Sequence, residues 1–101
     1  MFLFDGPETA DFTILLAHGA GAAMDSAAMT AASAALAAAG FRVARFEFGY
    51  MAARRTSGTR KPPPRAELLT EEYRAAIRAL DAGPRLIIGG KSMGGRVASM
   101  V

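Results

Sequence analysis

Cysteine and tryptophan are absent from these 101 residues, and histidine occurs once. Without cysteine there is no disulfide framework, no thiolate nucleophile and no cysteine-ligated zinc, which leaves hydroxyl, carboxylate and imidazole chemistry. Long hydrophobic runs are missing too: no stretch reaches the roughly 18 uninterrupted apolar residues of a membrane span. The opening MFLFDGPETAD has neither a basic n-region nor a signal-sized apolar run. A cytoplasmic address with no membrane partner is the resulting expectation. After Ser92 there is no aspartate, glutamate or histidine.

What is present suits a small soluble α/β domain. Hydrophobic residues make up 51% of the chain, ample for a packed core in one domain. Twelve Lys+Arg against nine Asp+Glu give a net charge of +3, and five of the twelve bases fall between Arg54 and Arg65. That cluster suits either a solvated basic loop or an anion-attracting rim over a substrate site. Nucleic-acid binding is disfavoured, because no aromatic residue is interleaved with those bases.

Phe12 to Ala17 (FTILLA) is an apolar, partly β-branched run without polar alternation, the pattern of a strand buried on both faces. It leads into His18-Gly19-Ala20-Gly21. Asp25 or Ser26 then stands as N-cap to an alanine-rich helix that stops at Gly40, with Met29, Ala32, Leu36 and Ala39 on one face. Phe41 to Phe48 predicts a second strand, ended by Gly49. Between Tyr50 and Pro64 the apolar rhythm lapses into arginine, serine, glycine and proline, which predicts a long loop and a candidate lid or substrate loop over 50–65. Leu69, Tyr73, Ala76, Ile77 and Leu80 form a helical stripe ending at Gly83-Pro84. Arg85 to Gly90 predicts a third buried strand, and Arg96 to Val101 the opening of another helix. The alternation points to a mainly parallel, three-layer α/β sheet.

The chemistry concentrates in Gly90-Lys91-Ser92-Met93-Gly94, a G-x-S-x-G at a strand-to-helix junction. A serine projecting from so sharp a turn needs neighbours without Cβ, or strand and helix collide. The helix N-terminus favours negative charge there, and the amide of Met93 points at the place where an oxyanion would form. The bland alternative is a structural glycine turn with an incidental serine. A phosphate-binding P-loop is excluded, since it needs a glycine five positions before Gly90 and Arg85 stands there. Lys91 is most simply a site-edge residue.

HGAG after an early strand together with GGKSMGG after a later one resembles the α/β-hydrolase superfamily, and within it the small bacterial dienelactone-hydrolase-like and predicted-hydrolase branch. The resemblance covers Thr13 to Val101 and implies a single α/β-hydrolase domain of which residues 1–101 are the N-terminal portion, truncated after the nucleophile elbow. It implies Ser92 as nucleophile attacking an ester or related acyl bond of a small-molecule substrate. The oxyanion hole would be built from the N–H of Met93 and that of Ala20 or Gly21, with no metal and no organic cofactor. Gly19, Gly21, Gly90 and Gly94 would shape the two loops. His18 is open to three roles: hydrogen bonding that shapes the oxyanion loop, packing alone, or direct catalysis. The family's chain order, Ser then Asp or Glu then His, argues against catalysis by His18. Asp25 reads as a cap, Asp81 as a helix end and Glu47 as an upstream strand residue. The competing class is a non-catalytic α/β-hydrolase-fold interaction module, and the oligomeric state is open.

Overall fold

The β-branched and leucine-rich run Thr13–Ala17 forms strand β2, whose residues are all buried except the half-buried Leu16. In the computed structural model, which describes residues 1–58 and 60–101, β2 pairs in parallel with β3 (Arg42–Phe46) on one side and with β4 (Leu86–Gly90) on the other. A short strand β1 (Leu3–Asp5), which carries no periodicity the sequence could reveal, adds antiparallel to β3. The sheet is therefore mixed, in the order β1-β3-β2-β4. β4 lies at its edge rather than buried on both faces as expected, and Ile87 is 42% exposed.

Helix α1 (Ala27–Ala38) starts where expected, with the Ser26 hydroxyl accepting from the Met29 amide. Its inward face differs from the predicted stripe: Met29 and Ser33 are buried, Leu36 and Ala37 half-buried, while Ala32 and Ala39 are exposed. A polar residue leads the helix inward because Ser33 donates to the Asp5 carboxylate at 2.6 Å. Arg45, buried in β3 on this face, donates to that carboxylate and to the Met24 carbonyl and Thr30 hydroxyl, so its charge is partnered. The opposite face holds the main core, where Leu15, Ala17, Ala44 and Phe46 pack with Leu69, Tyr73, Ala76 and Val97.

Two local differences follow from chemistry the pattern did not show. Residues Gly49–Ser57, expected as loop, form helix α2, anchored by buried Met51 and closed by Gly58 in the left-handed conformation at φ 69°. The stripe from Leu69 forms a 3-10 turn (Ala66–Leu69) continuing into α3 (Thr70–Leu80). That helix ends at Asp81, which takes the left-handed cap at φ 50° before Gly83 is reached; a short polar side chain tolerates that conformation. The Tyr73 hydroxyl reaches through the core, 2.7 Å from the carbonyls of both Leu15 and Gly89, and accepts the Gly89 amide at 3.0 Å. Burial pushes its phenol up to about 12. The last helix, α4 (Met93–Ser99), begins immediately after Ser92. Among the described residues no helix is long and apolar enough to cross a membrane.

Candidate active site

β4 delivers Ser92 to the C-terminal edge of the sheet, and the Lys91 amide still bonds the Ala17 carbonyl at 3.0 Å, extending the parallel ladder to the brink of the turn. Ser92 itself has φ 54° and ψ −114°, a region that costs a non-glycine residue free energy. The turn then closes into α4 through Gly94 N–H to Lys91 O and Arg96 N–H to Ser92 O, both 3.0 Å. Ser92 is exposed, and its side chain caps no backbone amide.

The glycines flanking it are sterically required. A Cβ on Gly90 would meet the Gly94 backbone at 2.6 Å and the Ala17 carbonyl at 2.7 Å. One on Gly94 would press on the carbonyls of His18 and Ala17. Gly95, on the same turn, would drive a Cβ to 2.8 Å from the Gly90 carbonyl. The backbones of β2, β4 and α4 thus touch, and this contact holds Ser92 in its strained conformation.

The HGAG loop lies beside the elbow. A Cβ built on Gly19 would sit 3.8 Å from the Ser92 Cβ and 3.3 Å from the Lys91 carbonyl. Gly19, Ala20, Gly21, Lys91 and Ser92 border a cleft of about 280 Å³, and a second cleft of about 400 Å³ meets Ser92 from the side of Pro64, Met93 and Arg96. The Met93 N–H is the first of α4, where no preceding turn supplies an acceptor. A Cβ on Gly21 would meet nothing within 4 Å and its φ is ordinary, so no steric need for glycine exists there.

His18 is fully buried. Its Nδ1–H donates to the Gly19 carbonyl at 2.6 Å, and its Nε2 accepts the Phe48 amide at 3.1 Å. Since a carbonyl only accepts and an amide only donates, these partners define the neutral tautomer. Burial, the leading cause, holds the ring below its ordinary value of 6.5. Because a trans peptide is planar, tying down the Gly19 oxygen also aims the Ala20 N–H away from the ring. Tyr50 secures the next peptide in the same way, its hydroxyl donating to the Ala20 carbonyl at 3.1 Å. No pattern in the sequence signalled Tyr50, which reaches this loop only because α2 replaces the expected coil.

The neutral imidazole has a consequence for acid stability. Below about pH 6.5 the unfolded chain binds a proton at His18 that the folded chain does not, so stability falls as pH drops through that window. Asp25 and Glu47 are held low mainly by hydrogen bonds from Arg55, so their contribution is lost only at more acidic pH. The urea midpoint is expected to fall between about pH 7.5 and about pH 5.5, and His18→Gln to flatten that dependence. Equal slopes in the two proteins would contradict this account.

The predicted basic segment divides in two. Arg55 is spent on two acids, donating to Glu47 at 2.6 and 2.8 Å and to Asp25 at 2.7 Å. Its guanidinium is correspondingly stabilised in the charged form by Glu47 first and Asp25 second. Asp25, expected as a cap, and Glu47 therefore brace α2 against the loop after β2. Arg54 stacks over the Tyr50 ring, with its guanidinium carbon 5.3 Å from the centroid. Among the described residues no group of three or more His, Cys, Asp or Glu could hold a metal ion.

A strand-turn-helix serine beside a glycine loop, on a sheet with parallel neighbours, defines a protein of the α/β-hydrolase class. The chain belongs to that family: the family model described as an alpha/beta hydrolase domain matches residues 10–101. No curated protein and no solved structure matches.

Proposed function

We propose that the chain carries the nucleophile and the oxyanion site of a serine hydrolase acting on an ester or related acyl bond of a small molecule. The observation that carries this is the strained Ser92 backbone, φ 54° and ψ −114°, held between β4 and α4 by glycines that leave no room for a Cβ. Strain of this kind persists only where surrounding structure over-determines it, and such places cluster at functional sites. Ser92 Oγ would attack the acyl carbon while its proton passes to a general base. The Met93 and Ala20 amides would donate to the oxyanion, the alcohol would leave with a proton, and water would then cleave the acyl-enzyme. His18 serves as a positioning residue, because both ring nitrogens are engaged with backbone. The pairing of HGAG with GGKSMGG favours the dienelactone-hydrolase-like branch. The scheme uses no metal or organic cofactor, no nucleic acid and no membrane, and it suits a cytoplasmic address.

One observation favours a second reading, a non-catalytic interaction module: among the described residues His18 bonds backbone through both ring nitrogens and makes no hydrogen bond to Ser92. A fluorophosphonate probe separates the two. In the full-length protein carrying these residues, labelling is expected at Ser92 and is expected to vanish in Ser92→Ala. Labelling that survives in the alanine variant rejects this nucleophile, and an unlabelled wild-type protein favours the module.

A further inference from the structure

Beyond the HGAG loop, on the side of α2, lies a recess of about 280 Å³ bordered by Gly21, Ala23, Met51, Arg54, Arg55 and Arg60. It shares Gly21 with the cleft that reaches Ser92, and among the described residues no carboxylate lines it, Asp25 and Glu47 standing behind Arg55. Its three arginines differ in what they have left to give. Arg55 is occupied by Asp25 and Glu47. Arg54 gives one hydrogen bond to the Lys61 carbonyl at 2.7 Å and one long contact to the Met51 sulfur, a weak acceptor, so among the described residues its terminal N–H groups are only partly engaged, while its Nε is buried out of a ligand's reach. Arg60 makes no ion pair or hydrogen bond among the described residues.

The recess is also within reach of the chemistry. The Gly19 Cβ position is 3.8 Å from the Ser92 Cβ, and Gly21 is two residues further on, at most about 7 Å of chain. Arg54 stacks on the Tyr50 ring, and Tyr50 in turn holds the Ala20 carbonyl. A ligand bound at Arg54 therefore sits one side chain away from the oxyanion loop.

We propose that this recess is an anion subsite, and that the acyl substrate carries a carboxylate or phosphate a few bonds from the carbonyl attacked by Ser92. The inference rests on the hydrolase reading and deepens it by naming the charge of the substrate. Guanidinium groups with unspent donors suit carboxylates and phosphates, and the open mouth of the recess lets charge steer the approach. A half-ester of a short dicarboxylic acid satisfies both ends: its ester carbonyl lies at Ser92 and its free carboxylate lies between Arg54 and Arg60.

The test uses the full-length protein carrying these residues, with nitrophenyl butyrate as the neutral substrate and the nitrophenyl half-ester of glutaric acid as the anionic one. Arg60 is exposed, so Arg60→Glu is the variant of choice. It is expected to lower kcat/KM for the half-ester about tenfold through KM, and to leave the butyrate within about twofold. Raising salt is expected to erode the wild-type preference for the half-ester. Equal turnover of the two esters, or equal losses on both in the variant, overturns the subsite while leaving the hydrolase intact. Absence of turnover on both esters instead removes the hydrolase reading on which the subsite rests.

Discussion

Gly94→Ala is expected to destabilise the fold by about 3 kcal/mol or more, because the added methyl meets only backbone. The atoms in its way are the carbonyls of His18 and Ala17 and the Ala17 carbonyl carbon, the last at 2.8 Å. None belongs to a flexible side chain that could swing aside. Relief requires α4 to lift from β2, which opens the contact of Val97 and Ala98 with the core. Against a domain stability on the order of 5–15 kcal/mol, that is a large fraction. Gly21→Ala is the matched control: its Cβ would occupy open space, and a change within about 0.5 kcal/mol is expected. Urea denaturation of the two variants measures the contrast, and similar midpoints would refute the steric account of the elbow.

Residues 1–101 expressed by themselves are expected to hydrolyse nitrophenyl butyrate no faster than an unactivated serine, a deficit of about 10⁴-fold or more relative to a serine paired with its base. The only imidazole is neutral, buried and bonded at both nitrogens. Recruiting it as a base would leave the Phe48 amide without its acceptor and release the Gly19 carbonyl within the HGAG loop. The proposed oxyanion donors would then act on an attack that seldom begins. The same polypeptide is expected to be poorly soluble, since β4 is an edge strand on which Ile87 is exposed. Saturable turnover that disappears in Ser92→Ala would sink this expectation and make His18 a candidate base.

Legibility differed from element to element for physical reasons. The elbow and the HGAG loop were readable because their chemistry is local: a serine between glycines announces a tight turn from five residues alone. Strands β2 and β3 were readable from apolar runs. By contrast, β1 has three residues, too few for any period, and its place in the sheet depends on pairing with residues about forty positions away. Helix α2 was hidden because its one buried residue is Met51, while its arginines, whose pattern suggested coil, find partners distant in sequence such as Asp25 and Glu47. The face of α1 was misplaced because a serine, not an alanine, turns inward to reach Asp5. Chain order argued only against His18 as the base and left its other roles open, because the backbone partners of its ring lie on Gly19 and on Phe48, thirty residues away; Tyr50 required knowing that α2 exists. Among the site glycines, Gly90 and Gly94 have the steric role their spacing implied, and Gly21 does not.

The Tyr73 hydroxyl, wedged between the Leu15 and Gly89 carbonyls, fastens the strand leading to Ser92 to the helix before it. Its ring belongs to α3, yet the groups it bridges lie on β2 and β4, 58 and 16 residues away. With α3 in place, that hydroxyl accepts the Gly89 amide, a donor that would otherwise go unmet beneath the helix. A displacement of α3 is therefore felt three residues before Ser92, so the turn depends on packing far away in sequence as well as on its own glycines.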